Sequence, residues 1–438
     1  MSTREFVPIT EYVDIRDDLR KPINSDERNR RISGKSAEEL YPYYGATGQV
    51  GWIDSYLTDG EYVLVGEDGA PFLDPFKEKA YIISGKTWVN NHAHILKAKD
   101  GRSFNQFIRY YLNSFNFESY VNGTTRLKLT KGSLEKIPVP FFSIEQQKKI
   151  TSKLDQLFAE IDQGAEQLRV TEKNLETFKQ SVLNAAIQGK LVPQDPNDEP
   201  ASKLLQRIRA EKEKLIQAGK LKKEKPLPPI DPSEVPFELP NGWEWVRLQT
   251  LSELVTDGDH NPPKRSEKGI PYLTSKHVKK WQISTDRCSF ISEQDFAIQG
   301  KRYTPKEGDL ILTCVGTVGE SAIVPPGLVF SADRNLAAIR FREKEITRWV
   351  HLAINAPSVL EELKNASGAT AQPHIYLGDI RKQAIPLPPG PEQSKIVIRV
   401  DQLISEINNL SEEIAKKRAS SDLLKQSILK SAFEGRLL

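Results

Sequence analysis

Two cysteines in 438 residues, Cys288 and Cys314, are too few for a disulfide framework and stand in no metal-ligand spacing. That count excludes a stapled secreted scaffold and a cysteine zinc site, and reduced thiols in a cytoplasmic setting are expected. No run of 18 apolar residues occurs, and the opening MSTREFVPIT has no apolar stretch of the kind a signal peptide carries, so no membrane association is expected. Charge of one sign is missing as well. The 62 Lys and Arg nearly balance 59 Asp and Glu, a formal +3, so no overall basic coat announces a polyanion partner. With 38% apolar and 28% charged residues, the composition is that of an ordinary globular chain.

Catalytic patterns are also scarce. Asn261-Pro262-Pro263-Lys264 resembles the loop with which DNA amino-methyltransferases hold a flipped base, but Lys264 stands where the stacking aromatic belongs. No glycine-rich loop for S-adenosylmethionine accompanies it. Gly34-Lys35-Ser36 ends like a phosphate-binding loop, yet the glycine needed five residues earlier is Asn29. His92 and His94 alternate in a strand-like stretch without a carboxylate or cysteine cluster, which favours packing over metal ligation. Asp257, Asp259 and His260 lie in a turn-rich loop, where carboxylates ordinarily cap turns. A non-catalytic chain is expected.

What is present is an internal duplication. Adding 246 to each number aligns Lys149-Ile150 with Lys395-Ile396, Asp155-Gln156-Leu157 with Asp401-Gln402-Leu403, Lys179-Gln180-Ser181 with Lys425-Gln426-Ser427, and Gly189-Lys190-Leu191 with Gly435-Arg436-Leu437. Each copy carries alternating steps of four and three. In the first these run from Ile150 through Leu154, Leu157, Ile161, Gly164, Leu168, Thr171, Leu175, Phe178 and Val182 to Ala185. In the second they run from Ile396 through Val400, Leu403, Ile407, Leu410, Ile414, Lys417, Ser421, Leu424 and Ile428 to Ser431. Such spacing predicts two coiled-coil helices, with Gly164, Thr171, Lys417 and Ser421 as weak seam positions. Prolines in IPVP (137–140) and IPLP (385–388) block helix before each, and Gly189 and Gly435 stand where glycine ends one.

Before each long helix the pattern is mixed α and β. GDLILTCVG (308–316), SAIVPP (321–326) and NLAAIRF (335–341) read as strands, and ITRWVHLAINAPSVLEELKNASG as a helix interrupted by Pro357. The first copy echoes this with EYVLVGEDG (61–69), HAHILKA (92–98) and a helix over FNQFIRYYLNSFNFESYV. Gly123-Thr124-Thr125 then answers Gly368-Ala369-Thr370. Between the copies, Pro193 to Pro240 reads as an exposed proline-rich linker with one short solvated helix, its residues 201–225 holding nine Lys or Arg against three Glu.

Basic and aromatic residues cluster in both modules. Lys264, Arg265, Lys268, Lys276, Lys279 and Lys280 face Glu267 alone between 260 and 280, with Tyr272 and Trp281 nearby. In the first module Arg126, Lys128 and Lys131 follow the Gly-Thr-Thr turn, and Arg28, Arg30, Arg31 and Lys35 precede YPYYG. Such groups can neutralise phosphates, while Thr124, Thr125, Arg126, Thr370, Gln372 and His374 can pair with base edges.

These residues together resemble the specificity subunits of type I restriction-modification systems. The likeness rests on the IPVP and IPLP elements, the EQ that follows each (Glu145-Gln146, Glu392-Gln393), the KLDQLF and RVDQLI helix starts and the KQSVLNAAIQGKL and KQSILKSAFEGRL ends. LPNGWEWVRL (239–248), GDLILTCVGTVGESAIV (308–324) and YPYYGATGQVGWIDSYLTDGEYVLVGEDG are similar to parts of that family's target recognition domains. The first module departs from the pattern at its opening, where only Phe6-Val7-Pro8-Ile9 stands near the place of LPxGWxW.

The resemblance implies an α+β chain: two small mixed α/β target recognition domains separated by two long antiparallel coiled-coil helices, a pseudo-two-fold internal duplication. The expected boundaries are 1–142 for recognition domain 1, 143–192 for helix 1, 193–238 for the linker, 239–390 for recognition domain 2 and 391–438 for helix 2. It implies a non-catalytic subunit that reads a bipartite, asymmetric site in double-stranded DNA, each domain one half, with the helices setting the spacer. Partners would be two modification (methyltransferase) subunits and restriction (ATP-dependent translocase and endonuclease) subunits. S-adenosylmethionine, ATP and Mg would sit on those partners, with no cofactor in this chain. Phe158, Ile187, Leu191, Phe433 and Leu437, taken as exposed apolar flanks, are the candidates for docking the modification subunits. The alternative is a coiled-coil scaffold presenting two protein-binding domains without DNA.

Overall fold

A computed structural model describes residues 5–365 and 373–437. The chain divides into two compact units, residues 1–171 with 412–438, and residues 172–411. Each holds one mixed α/β module and one part of each of two 44-residue helices, Ile144–Ile187 and Gly390–Phe433. At 1.5 Å per residue each helix is about 66 Å long, eight residues more than the apolar repeat from Ile150 to Ala185 requires.

Local chemistry sets the helix ends. Ser143 and Gln146 form a reciprocal cap, the Ser143 N–H donating to Gln146 Oε1 (2.9 Å) and the Gln146 N–H to Ser143 Oγ (3.3 Å). Both C-termini close with the same glycine motif. Gly189 (φ +66°) and Gly435 (φ +75°) adopt the left-handed region, and the next residues' N–H groups reach back, Lys190 to Ala185 O and Arg436 to Ser431 O, each 2.9 Å. A Cβ at Gly189 would also lie 2.7 Å from Pro240, so this site needs glycine for space as well as for backbone.

The first unit is built on two four-stranded sheets. One has the order Val13–Ile15, Ala93–Ala98, Tyr62–Gly66, Ala80–Ile83, all antiparallel; the other has Gly48–Ile53, Tyr41–Gly45, Lys86–Val89, Thr58–Asp59, with Tyr41–Gly45 and Lys86–Val89 parallel. The second unit repeats the plan. Leu254–Asp257, Leu336–Arg340, Leu310–Thr313 and Ser321–Ile323 form the antiparallel sheet, and Ser289–Ile291, Ile270–Leu273 and Ser331–Ala332 the other, again with its last pair parallel. The strands expected at 61–69, 92–98, 308–316, 321–326 and 335–341 all form within those bounds. Pro357 divides the expected helix into Lys344–Asn355 and Pro357–Asn365.

The opening of the first module, faint in sequence, has a clear structural counterpart. Phe6–Pro8 pairs antiparallel with Pro138–Pro140 as Glu244–Arg247 pairs with Ala384–Leu387. A short helix in each module then joins the sheet to the long helices. Tyr111 of Asn105–Ser114 donates its hydroxyl to Pro138 O, and Trp349 of Lys344–Asn355 its indole N–H to Pro386 O at 2.7 Å.

Within the first unit Phe107 and Tyr111 pack edge-on against Phe433, in one core with Ile150, Leu154, Leu429 and Ala432. The start of the first long helix thus meets the end of the second, and Lys425 pairs with Asp162 (2.5 Å), an antiparallel arrangement. In the second unit Val182, Leu183 and Ile187 share a core with Ile396, Val400, Ile404 and Ile407, again end to start. Burial along the seam is uneven. Gly164 and Lys417 are exposed as weak seam positions should be, but so are Phe178 and Leu424, each 50% exposed, which the repeat places inside.

The 193–240 stretch is not a free linker. Its helix Ala201–Gln217 buries Ala201, Leu204 and Leu205 in the second unit's core, and Lys212 donates to Gln249 O (2.7 Å) and Ser252 O (2.8 Å). Of the nine basic groups in 201–225 Lys212 is held in this way, while the other eight are exposed, Arg207 and Lys214 pairing with Glu199 and Glu211 at the surface.

Candidate nucleic-acid interface

Both modules place corresponding segments, at Lys128-Leu129 and at His374-Ile375, beside the loop leaving a central strand of the antiparallel sheet. In the first, Leu129 donates to Glu67 O at 2.7 Å and Lys128 forms a bridge with Asp68. In the second, Ile375 donates to Cys314 O at 3.0 Å and His374 bridges Val315. Lys128 and His374, and Leu129 and Ile375, are related by the same 246-residue offset that relates the helices. Gly123 makes the Gly-Thr-Thr turn of the first module possible: its φ is +110°, and a Cβ there would lie 2.5 Å from Arg126 O.

Around this shared backbone the chemistry differs. In the first module Arg126 Nη2 donates to Asp68 Oδ1 at 2.5 Å, and His92 Nδ1 lies 2.8 Å from the same oxygen. Lys128 pairs with Glu67 (3.1 Å), which also receives Arg20. Burial raises the Glu67 carboxyl, but hydrogen bonds from Arg20 and Lys128 outweigh it and hold the group below the usual carboxylate range. Asp17 behaves alike, with His94 opposing burial; fully buried His94 lies 2.8 Å from Asp17 Oδ2 through Nδ1 and 2.9 Å from Leu129 O through Nε2. His94 is thus a packing histidine, while His92 points to a different acid.

Arg31 forms an ion pair with Asp54 (2.5 Å) and stacks over Trp88 at 4.9 Å, on the second sheet's side. Arg30, at the end of the helix Ser25–Ile32, and Lys35 are exposed, Lys35 acting on nearby Glu39. Thr124 and Thr125 are exposed in the turn, and exposed Lys131 begins the helix Lys131–Glu135, capped by Thr130. Arg126, Lys128 and Arg31, expected to contact nucleic acid, each pair with a carboxylate, and Arg126 and Lys128 stay exposed while doing so.

In the second module Lys264, Lys276 and Lys279 are exposed and meet no acid among the described residues. The Arg265 guanidinium carbon lies over Tyr272, 3.5 Å from the ring centroid, and the His374 and Tyr376 rings pack tilted at 4.3 Å, Tyr376 being 63% exposed. The neighbouring loop comes close enough that Asp259 bridges Asp333, and a Cβ on Gly258 would meet Ala332 O at 2.0 Å. Burial raises the Asp333 carboxyl against two hydrogen bonds from Asn335. Asp257, in the turn-rich loop, is occupied by Arg302 and by His260 at 2.9 Å. Thr370 and Gln372 lie outside the described residues.

The five residues expected as exposed flanks are packed. Ile187 and Phe433 are core, Phe158 lies edge-on to Tyr110 at 5.6 Å, and Leu191 and Leu437 rest partly buried on the cores. The apolar side chains that the long helices do expose include Phe178, Ile398, Leu410, Leu423 and Leu424. Sequence reasoning missed Ile398 and Leu423, which stand off the four-three repeat, and it missed the acids Glu67 and Asp68, visible only as part of a strand.

No helix among the described residues is long and apolar enough to cross a membrane. Comparison with known proteins agrees with the duplicated plan. The EcoAI type I restriction enzyme specificity subunit of Escherichia coli is 32% identical over 263 residues, 58% of this chain and 44% of that one, so the chain spans less than half the length of this relative. The Escherichia coli EcoDI specificity subunit is 25% identical over 406 residues, 91% of this chain and 82% of its own. A chain from a structure of the type I R-M system, reported for its complex assembly and conformational transition, shares the fold with a TM-score of 0.65 at 17% identity, covering 100% of this chain and 99% of that one. The family model for the type I restriction modification DNA specificity domain matches twice, over residues 11–172 and 240–417, once for each module with part of its adjoining helix, and the chain belongs to that family.

Proposed function

We propose that this chain is the DNA-reading subunit of a type I restriction-modification complex and has no active site of its own. Each module reads one half of a bipartite, asymmetric site, and the two long helices set the gap between halves. The observation that carries this reading is the repeated juxtaposition of Lys128 with Asp68 and of His374 with Val315. One backbone frame holds two different sets of side chains, as expected of two readers with different targets. The lysines at 264, 276 and 279 supply phosphate contacts, and Arg265 and His374, packed against tyrosines, present polar edges of fixed orientation.

In this reading the modification subunits bring S-adenosylmethionine, and the restriction subunits bring ATP and Mg. The exposed helix residues Phe178, Leu410, Leu423 and Leu424 are the contacts for the modification subunits. Mapping methylated adenines across the host genome, with and without this chain, tests the proposal: methylation at a split motif should depend on it. Deleting one heptad between 150 and 185 should change the gap and leave both half-sites intact. A methylation map indifferent to the chain, or altered half-site letters at an unchanged gap, overturns it.

A further inference from the structure

The second module contains a two-residue hairpin that its sequence does not favour. Val278–Lys279 pairs with Gln282–Ile283, and the two residues of the turn, Lys280 and Trp281, both lie in the left-handed region at φ +51° and +67°. Such turns select Asn and Gly, because a Cβ is disfavoured at both positions. Long side chains persist here because the surroundings hold them. The Lys280 N–H donates to Glu320 Oε2 at 3.0 Å, and the Trp281 ring stands edge-on to buried His351 with centroids 4.9 Å apart. The Lys179 ammonium, from the first long helix, lies 4.9 Å from the centre of the same ring.

These contacts form a continuous chain inside one unit. Lys179 on the helix touches Trp281 on the hairpin, and the hairpin carries Lys279 and Lys280, with Lys276 just before it. Glu320, which catches the hairpin backbone, is tied through reciprocal bonds with Thr313 to the loop whose Val315 bridges His374. We infer that Trp281 is a positioning residue: it keys the lysine-bearing hairpin and the adjoining recognition loop to the first long helix, so that the phosphate contacts of the second module keep a fixed register with the spacer-setting stem. The ring touches no base in this scheme. It acts by converting helix position into hairpin position, and strain in the turn means that the hairpin relaxes once the ring is removed. In the first module Arg126, Lys128 and Arg31 are held by Asp68, Glu67 and Asp54 instead.

The inference rests on the DNA-reading proposal, and its test separates the two. Fluorescent duplexes carrying the motif from the methylation map, with the native gap or one base pair more or less, are titrated with the full chain. Wild type should prefer the native gap sharply. Trp281→Ala should bind the native gap about tenfold more weakly and discriminate among gaps by less than about twofold, with half-site letters unchanged. Trp281→Phe, which keeps a ring face, should restore most of the preference, and Lys179→Met should blunt it by about threefold. If Trp281→Ala unfolds, Lys179→Met decides alone, since it leaves the hairpin sequence intact. Unchanged gap preference in Trp281→Ala or, where that variant unfolds, in Lys179→Met overturns the positioning role, as does a change of second-half letters. Failure of wild type to prefer the motif over a scrambled duplex overturns the DNA-reading proposal instead.

Discussion

The two modules share the strand order of the antiparallel sheet, the parallel pair, the proline-anchored short helix and the bridges at Lys128 and His374, yet they manage charge around those bridges differently. In the first, Arg126 and Lys128 face Asp68 and Glu67, with His92, His94, Asp17 and Arg20 completing a web of hydrogen bonds and ion pairs. At the equivalent positions the second has Val315 and His374, and its Lys264, Lys276 and Lys279 stand out in solvent with no acid among the described residues. A backbone frame can thus stay constant while the charge beside its bridge goes from paired, at Arg126 and Lys128, to none at Val315, although Arg30, Lys35 and Lys131 of the first module also stay exposed. Net charge near zero hides this, because it averages the paired cations around Asp68 and Glu67 with the open lysines of the second module.

The largest effect expected from that contrast comes from the open side. Replacing Lys264, Lys276 and Lys279 together with Gln should weaken DNA binding on the order of 100-fold, and the slope of log K against log salt should fall by roughly 0.9 for each phosphate no longer neutralised. Lys128→Gln, in the paired module, should move that slope very little. Titrations at several salt concentrations measure both, and equal slopes for the two variants would erase the distinction.

An intermediate effect belongs to the paired side and is read as stability. Glu67→Gln removes the carboxylate that receives Arg20 and Lys128 and should cost about 1–3 kcal/mol at pH 7. Because the folded carboxyl is held below its ordinary value of 4.5, its contribution is fully present above that value and fades as pH falls through the lower folded one. Wild type and variant should therefore differ in melting temperature at neutral pH and converge in acid. A difference that persists at low pH would assign the loss to packing.

Much of the frame is legible in the sequence alone. The four-three repeat marks both long helices, Gly189 and Gly435 mark their ends, and the β-branched runs at 61–69 and 308–316 mark the central strands, because these signals are local and periodic. What stays hidden depends on distance. Phe6–Pro8 is three residues long, too short for any periodicity, and becomes a strand only through pairing with 138–140. Phe178 and Leu424 fit the repeat, yet half their surface stays open. The linker helix reads as solvated because its charges outnumber its apolar residues, though Leu204 and Leu205 suffice to dock it. The site suffers most: Arg126 looks like a free base reader until Asp68, 58 residues earlier, is brought to it.

That pair supplies the smallest effect and the finest test of the contrast. Arg126 keeps 61% of its side chain exposed while bonded to Asp68, whose own side chain is 19% exposed. An ion pair so open to water is worth about 1 kcal/mol at most, so Asp68 restrains the guanidinium without locking it. Arg126→Ala should accordingly lower specific binding only a few-fold, less than a bidentate guanine contact would imply. Asp68→Asn keeps the side-chain shape and removes the charge. It should raise nonspecific DNA affinity about two- to fivefold and steepen the salt slope, because a cation once neutralised within the protein becomes available to a phosphate. The same substitution cannot be mimicked in the second module, where Val315 holds the equivalent place and has no charge to release. If Asp68→Asn instead lowers affinity, the aspartate is aiming Arg126 at its target, and the first module is a pre-oriented reader that uses its ion pairs to point rather than to neutralise.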